Sequence, residues 1–182
     1  MHHETPDHAS APEITYWVNS LGRSGDSRVI PLMTEIARRV EMNPNKSDAM
    51  FNYVYSICYA ADRLADPACI EVLSLLAKKS GIAGSLHTIG TDPRETGKGK
   101  ASIREDRYAY LELCIGRALA RCGSKQGYQT VIDYLTDIRG FLARSAHEEL
   151  AALSGHDFSY DTEAWSHWLE EATVSPIQYT GR

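Results

Sequence analysis

The sequence repeats one type of junction between two helices. Three segments can be laid over one another in the same frame: Leu21–Met33, Ala61–Leu73 and Leu119–Val131. In each segment an apolar helical stripe ends at a tight turn, and a capping residue (Asp26, Asp66 or Ser124) precedes a second stripe. The caps are 40 and then 58 residues apart, and leaving out a Gly-rich insertion of about 18 residues restores the spacing of 40. One helix pair cannot bury its stripe alone, so this period predicts stacked pairs that share a continuous core.

Apolar residues follow the period of an α-helix along almost the whole chain. Trp17, Val18 and Leu21, for example, share one face of a short first helix. Eight such stripes predict eight helices, and no segment predicts a strand.

The sequence also predicts where some helices start and end. Ile138 belongs to two successive stripes, so we expect the sixth helix to reach this residue and the seventh to begin there. Pro31 predicts a slight bend or a late start of the second helix. Helix starts are expected at polar capping residues: Ser10, Asp26, Ser47, Asp66 (followed by Pro67), Ser102, Ser124 and Asp161.

Length and composition indicate one globular domain or one short repeat array. The chain has 182 residues, of which 43% are apolar and 24% charged. No run of about 18 uninterrupted apolar residues occurs, so we expect no membrane span. Residues 1–12 are a polar lead-in without the apolar stretch of a secretory signal. The repeat domain is expected over residues 13–172, and residues 173–182 are expected to form a loose tail.

Charge and cysteine usage narrow the possible partners. The net charge of −5 argues against nucleic acid, because nucleic-acid binders usually carry a basic excess that neutralises phosphates. No two cysteines form a C-x-x-C pair, and each lies within an apolar stripe. We therefore expect buried thiols in a reducing environment, which favours the cytoplasm, with a disulfide or metal role as the alternative. The four cysteines are Cys58, Cys69, Cys114 and Cys122.

The sequence contains none of the common catalytic or metal-binding motifs. The histidines show neither H-x-x-x-H nor H-E-x-x-H spacing, and no G-x-S-x-G element is present. The adjacent carboxylates Glu148–Glu149 and Glu170–Glu171 point in different directions on their helices, which is typical of a solvated face. We therefore expect no catalytic site, no metal and no cofactor.

Residues 81–101 interrupt the helical pattern with five glycines and Pro93. The segment is not a P-loop, because six residues separate Gly90 from Gly97 and a glycine follows Lys98. We expect a flexible, solvated loop that proteases cut first. The alternative is a site in which the loop holds an anion near the start of the next helix. The basic residues that would hold the anion are Arg94, Lys98 and Lys100 in the loop and Arg104 and Arg107 just after it.

The repeat pattern resembles the HEAT-repeat family. Three features carry this resemblance: the junctions at Asp26 and Asp66, Pro31 within its helix, and the helix start at Asp66–Pro67. The resemblance includes short bacterial forms related to phycobilisome-lyase repeats, and it covers roughly residues 13–172. It implies an all-α, right-handed solenoid of about four antiparallel helix pairs. The third junction departs from the pattern because Ser124 replaces the aspartate, and a fourth unit is barely recognisable.

The HEAT-like arrangement implies that the second helices line the inner side of a curved surface. Their polar side chains have mixed charge, which suits a protein partner better than a polyanion. We therefore expect a non-catalytic interaction scaffold, free-standing or part of a longer polypeptide, of unspecified oligomeric state. The alternatives are a HEAT-like bilin lyase-isomerase and, less favoured by charge, recognition of nucleic-acid lesions. The expected partner-binding residues are Arg28, Glu35, Arg39, Glu71, Lys78, Gln129 and Asp133.

Aromatic residues divide into an expected core group and an expected surface group. Those on or near apolar stripes are predicted to be buried: Trp17, Tyr55, Tyr59, Tyr108 and Trp168. Those off the stripes are predicted to be exposed and available for contacts: Tyr16, Tyr53 and Tyr110. Trp165 and Trp168 are expected to cap the last helix pair.

Overall fold

The computed structural model describes residues 11–41, 47–91 and 103–178. These residues form eight α-helices and no strand, which confirms the all-α prediction. A short 3-10 turn, Tyr134–Thr136, follows the sixth helix. None of the described helices is both long and apolar enough to cross a bilayer. The helices are α1 (Ala11–Ser24), α2 (Val29–Arg39), α3 (Ser47–Leu64), α4 (Cys69–Ala77), α5 (Ile103–Arg121), α6 (Lys125–Asp133), α7 (Gly140–Ser154) and α8 (Thr162–Glu171).

The three aligned junctions share a left-handed residue at the same position. The fifth residue of each is left-handed: Gly25 with φ 73°, Ala65 with φ 45° and Gly123 with φ 87°. At the first junction the Asp26 N–H donates to the Leu21 carbonyl at 3.1 Å. At the third, the Ser124 N–H donates to the Leu119 carbonyl at 3.0 Å. At the middle junction the hydrogen bond spans four residues where the other two span five: the N–H of Ala65 donates to the Ala61 carbonyl at 2.8 Å. Each helix thus ends with a left-handed residue that satisfies a late carbonyl.

Two of the predicted caps lie further from their helices than expected. α2 and α4 begin three residues after Asp26 and Asp66. Each aspartate accepts a hydrogen bond from the backbone N–H two residues later, at 3.0 Å from Arg28 and 2.9 Å from Ala68. The prediction that they are N-caps is therefore wrong, because each opens an i→i+3 bonded turn that leads into the helix.

The remaining capping predictions have mixed outcomes. Asp161 caps α8 as predicted, since its carboxylate accepts from the N–H groups of Glu163 and Ala164, both at 3.0 Å. Ser124 occupies the N-cap position of α6, but its side chain makes no capping bond. Pro31 lies in the first turn of α2, where a backbone N–H has no intrahelical acceptor. The predicted caps Ser10 and Ser102 lie outside the described residues.

The odd-numbered helices pack side by side, α1 on α3, α3 on α5 and α5 on α7. Among the even-numbered helices, α2 packs on α4 and α6 on α8, while α4 and α6 both pack on α5. Two crossings require glycine. A Cβ atom on Gly22 would lie 2.5 Å from Ala60, and one on Gly127 would lie 2.2 Å from the backbone nitrogen of Ala120. Side chains at these positions would push the helices apart.

α5 separates two hydrophobic cores. We call the first core the buried apolar residues of α1–α4 together with Ile82, Cys122 and one face of α5, which carries Leu111, Cys114, Ile115, Ala118 and Leu119. We call the second core the other face of α5 (Ala109, Leu113, Ala120) with the buried apolar residues of α6–α8 and the 3-10 turn. The central helix is therefore covered on two sides.

The first half of the Gly-rich segment is anchored at Ile82 and over residues 84–87, where its prediction as a flexible, solvated loop is wrong, while residues 89–91 are exposed as predicted. Ile82 is fully buried in the first core. The N–H groups of Gly84 and Ser85 donate to the two carboxylate oxygens of Glu112 at 2.8 and 2.9 Å. An apolar anchor and a bidentate carboxylate together hold this segment against α5.

The same segment explains why Ile138 is not helical, contrary to prediction. The Ile138 N–H donates to the His87 carbonyl at 2.9 Å, which takes its backbone out of α7. On either side, the His87 N–H donates to Asp137 at 3.1 Å and the Arg139 guanidinium donates to the Ser85 carbonyl at 2.6 Å. These side chains are buried, with Asp137 0% and Arg139 6% exposed. The link between α6 and α7 is shaped by this tertiary pairing.

The ends of the described chain also differ from prediction. Trp17 is 57% exposed and not buried as predicted. α1 packs mainly on α2 and α3, and it is the neighbouring Val18 that is buried in the first core. The tail is not loose over residues 174–178. The Ile177 N–H donates to the Arg121 carbonyl at 2.8 Å, and the Gln178 amide donates to the Leu64 carbonyl at 3.3 Å. The tail therefore closes over the ends of α3 and α5.

Candidate functional site

The predicted partner-binding residues all lie on or beside the even-numbered helices, and all are exposed. Most of them are engaged locally. Arg28 pairs with Asp26 at 2.6 Å, and Arg39 pairs with Glu35 at 2.6 Å. The hydrogen bond from Arg28 lowers the pKa of the Asp26 carboxyl below its usual value. The seven exposed residues are Arg28, Glu35, Arg39, Glu71, Lys78, Gln129 and Asp133.

These residues form two groups rather than one demonstrated continuous face. The first group belongs to α2 and α4, which pack on each other. The second group, Gln129 and Asp133, lies on α6, where the amide of Gln129 donates to the carboxylate of Asp133 at 2.9 Å. Within the described residues α4 and α6 share no extensive contact, and both are joined through α5.

The predicted anion-binding loop is only partly described. Arg94, Lys98 and Lys100 lie outside the described residues. Arg104 lies in the first turn of α5 and is exposed. It lines a pocket of about 210 Å³ between α3 and α5, and the other described residues that line this pocket are Phe51, Ile103, Arg107 and Tyr108.

Three aromatic rings form a nearly parallel stack beside this pocket. The centroid of Phe51 lies 6.1 Å from that of Tyr55 and 6.4 Å from that of Tyr110, with interplanar angles of 7° and 17°. The Arg107 guanidinium carbon lies 4.4 Å from the centroid of the Phe51 ring, which is cation–π geometry. The stack joins α3 to α5 and leaves Tyr55 36% exposed. The site therefore combines a fixed aromatic wall with two arginines.

Three titratable groups in or near the stack have pKa values raised above their usual range. Burial raises the pKa of the Tyr110 phenol and of the Cys58 thiol, and raises that of Cys114 to about 11. A thiol must lose its proton to act as a nucleophile, so Cys58 and Cys114 are not activated nucleophiles at neutral pH. The described residues contain no group of three or more His, Cys, Asp or Glu side chains that could hold a metal ion.

A separate charged cluster joins three of the odd-numbered helices. Arg121 of α5 lies 2.9 Å from Asp62 of α3, and Arg117 of α5 lies 3.4 Å from Glu149 of α7. Arg117 also approaches Asp62 at 3.5 Å, and none of these side chains is more than 22% exposed. Two positive and two negative groups balance one another, so the cluster holds helices together and has no excess charge for a ligand.

Arg104 and Arg107 can be predicted as site residues from the sequence, whereas the aromatic wall is evident only in the structure. Tyr110 was expected to be exposed and is half-buried in the stack, while Tyr55 was expected in the core and lies at the surface. Tyr16 is 66% exposed, as predicted. The signal that was overlooked is the i, i+4 spacing of Phe51 and Tyr55, which places two rings on one side of α3.

Comparison of the chain with protein-family models, with curated proteins and with solved structures gave no match.

Proposed function

We propose that this chain is a HEAT-like, right-handed α-solenoid that acts as a non-catalytic interaction scaffold for a protein partner. The observation that carries the proposal is the shared geometry of the three junctions, each with a left-handed fifth residue. The side-by-side packing of the odd-numbered helices supports the same arrangement. Under this arrangement the even-numbered helices are the second members of successive pairs and present the binding surface.

The charges on that surface favour a protein partner. Three basic residues (Arg28, Arg39, Lys78) are balanced by three acidic residues (Glu35, Glu71, Asp133), and all six are exposed. A polyanion would be held by an excess of positive charge, which this balance lacks. Mixed charges instead favour a partner with a complementary pattern of both signs.

The alternative of a bilin-handling enzyme gains no support from the described pocket. That pocket measures about 210 Å³. Sites for drug-sized ligands are roughly 300–1,000 Å³, and a tetrapyrrole needs a site of that size.

Site-specific photo-crosslinking tests the scaffold proposal. A photoreactive residue is placed at Glu71 or Gln129 on even-numbered helices, and at Asn52 or Glu148 on α3 and α7 as matched controls. All four positions are exposed. In the cells that produce the chain, we expect one adduct of the same mass from Glu71 and Gln129 and none from the controls.

Charge reversal sharpens the same experiment. Glu71→Lys is expected to reduce the adduct formed from Gln129, while Glu148→Lys leaves it unchanged, because only the first alters the proposed surface. Adducts of equal yield from all four positions, or none from any, would contradict the proposed binding surface.

A further inference from the structure

We propose that Cys69 and Cys122 are a redox-active pair, a modification site at which a small-molecule disulfide oxidises the two thiols to one internal disulfide. Cys69 is the first residue of α4, and Cys122 directly follows α5. Both side chains are buried in the first core, with exposures of 0% and 1%. The pair shares no residue with the proposed partner surface, so this inference does not depend on the scaffold function.

The two thiols are in contact in the reduced protein. The side chains of Cys69 and Cys122 are hydrogen-bonded to each other. The Cys122 Sγ also lies 3.7 Å from the Ala61 carbonyl oxygen in the last turn of α3. A disulfide needs its sulfurs about 2.05 Å apart and its Cβ atoms about 4 Å apart, so two thiols in hydrogen-bond contact are a short movement from bonding.

Packing alone does not require thiols at these two positions. In the alignment of the three junctions, Cys69 occupies the ninth position of the second junction and Cys122 the fourth position of the third. One junction earlier, the same two positions hold Val29 and Leu64, which are both buried in the first core. Aliphatic side chains therefore serve at the equivalent positions, and the thiol pair adds a reactivity that an aliphatic pair lacks.

The surroundings of Cys69 make it the attacking thiol. The hydrogen bond from Cys122 lowers the pKa of the Cys69 thiol, and the N-terminus of α4 favours a negative charge at its first residue. The same hydrogen bond, together with burial, raises the pKa of Cys122. Burial also raises the pKa of Cys58, and it raises that of Cys114 to about 11. Because the thiolate is the nucleophile in thiol–disulfide exchange, Cys69 is expected to react first.

The exchange proceeds in two steps. The Cys69 thiolate attacks one sulfur of the oxidant, whose disulfide bond breaks, and the released thiolate takes up a proton. Cys122 then loses its proton, and its sulfur attacks the Cys69 sulfur of the mixed disulfide and displaces the second half of the oxidant as a thiol. Two cysteine thiols are oxidised to one disulfide, and the disulfide of the oxidant is reduced to two thiols.

The position of the pair sets the rate and the consequence of oxidation. Both residues are buried, so the oxidant reaches them only when the first core opens, and both lie at helix ends, where opening costs less than within a helix. The disulfide joins residues that are 53 positions apart in the sequence. A cross-link that closes so long a loop restricts the unfolded chain and stabilises the fold. Oxidation should therefore make the first core harder to open.

The test uses the complete 182-residue chain, reduced and then incubated with glutathione disulfide under native conditions. After an acid quench, the remaining thiols are blocked in denaturant, and the products are identified by intact mass and peptide mapping. We expect the loss of two hydrogen masses, a peptide cross-linked at Cys69 and Cys122, and blocked thiols at Cys58 and Cys114. The melting temperature should rise by about 10 °C, and dithiothreitol should reverse both changes.

Three variants assign the reaction to this pair. Cys69→Val, which introduces the side chain of the preceding junction, should form no internal disulfide. Cys122→Ser keeps a hydroxyl that can donate to the Ala61 carbonyl, and its reaction should stop at a mixed disulfide of Cys69 with glutathione. Cys58→Ala is the matched control and should still form the cross-link. An internal disulfide through Cys58 or Cys114, glutathione adducts alone on the unsubstituted chain, no oxidation of the native chain, or a lowered melting temperature after oxidation would each overturn the proposal.

Discussion

The two cores on either side of α5 are built in different ways. The first core is bordered by the first two repeated junctions and contains aliphatic side chains and thiols but no tryptophan. The second core contains the fully buried Trp165 and the phenols of Tyr128 and Tyr134, so polar atoms must be satisfied inside it. The Trp165 indole donates to the Ser159 carbonyl at 2.9 Å, and the Tyr134 hydroxyl donates to Glu112 at 2.7 Å.

This difference shows two ways of packing helices on one central helix. Where the period of the sequence is regular, small residues and apolar stripes make up the core that brings the helices together. Where the period is broken by residues 81–101 and by the 3-10 turn, the connections are fixed by hydrogen bonds that Glu112 and Asp137 accept and that Arg139 donates. The second core should therefore depend more than the first on specific long-range hydrogen bonds.

The largest expected effect comes from removing the centre of the second core. Trp165→Ala should lower the free energy of unfolding by about 4 kcal/mol, because a large buried ring leaves a cavity. Hydrogen exchange should show lost protection mainly in α6–α8, whereas Leu73→Ala in the first core should affect mainly α1–α4. A uniform loss of protection in both variants would mean that the two cores unfold as one unit.

The next effect concerns the crossing of α5 and α6. Gly127→Ala would place a Cβ atom 2.2 Å from the nitrogen of Ala120 and 2.6 Å from the carbonyl of Gly116, so the backbone must shift. We expect a loss of about 2–3 kcal/mol in urea unfolding. Gly140→Ala is the matched control, since nothing lies within 4 Å of its added Cβ atom. Equal stability of the two variants would show that this crossing adapts easily.

A smaller effect is expected for the anchor of residues 81–91. Glu112→Gln keeps the size of the side chain but sets an amide donor against a backbone N–H, which should cost about 1–2 kcal/mol. Limited proteolysis should then cut faster within residues 81–91. Glu71→Gln, a change at an exposed carboxylate, should leave both stability and cleavage unchanged. Unaltered cleavage in Glu112→Gln would show that the other contacts, Ile82 and the hydrogen bonds to the link between α6 and α7, hold the segment without Glu112.

The smallest expected effect on stability concerns the pair of His147 and Asp157, which lies beside the second core. A hydrogen bond from His147, together with the Ser159 N–H, lowers the pKa of Asp157 below its usual 3.8. A lowered pKa contributes stability above the unfolded value and loses it as the pH falls through the folded value. Asp157→Asn should therefore lower the melting temperature slightly at neutral pH and not at all in strong acid. A difference that persists in acid would assign the effect to packing, and Glu148→Gln serves as the control.

Much of the fold could be predicted from the sequence because it depends on local patterns. The helical stripes predict all eight helices in order, and Asp161 predicts the start of α8 correctly. The prediction fails at Ile138, where hydrogen bonding to His87, 51 residues away in the sequence, overrides the stripe. It also fails at Trp17, since periodicity shows which face is apolar but not whether a neighbour covers it.

The candidate site was less predictable for a similar reason. Arg104 and Arg107 stand out as basic residues near a helix start, and they do line the pocket. Phe51 is more than 50 residues earlier, and only the packing of α3 on α5 brings it beside them. No local pattern specifies that pairing. The anchoring of the Gly-rich segment could not be predicted for the same reason, because Glu112 and Asp137 lie far from it in the sequence.

The positions of the four thiols make them useful probes of partial unfolding. Cys58, Cys69, Cys114 and Cys122 are all buried, and all belong to the first core. An alkylating reagent therefore reacts only when that core opens, and opening of α6–α8 alone leaves the thiols covered. The rate of labelling therefore reports the opening of the first core. Fluorescence from Trp165 and Trp168 reports the opening of the second core once Trp17, the exposed tryptophan of α1, is replaced by phenylalanine. With that single change, the two signals follow each half of the protein separately.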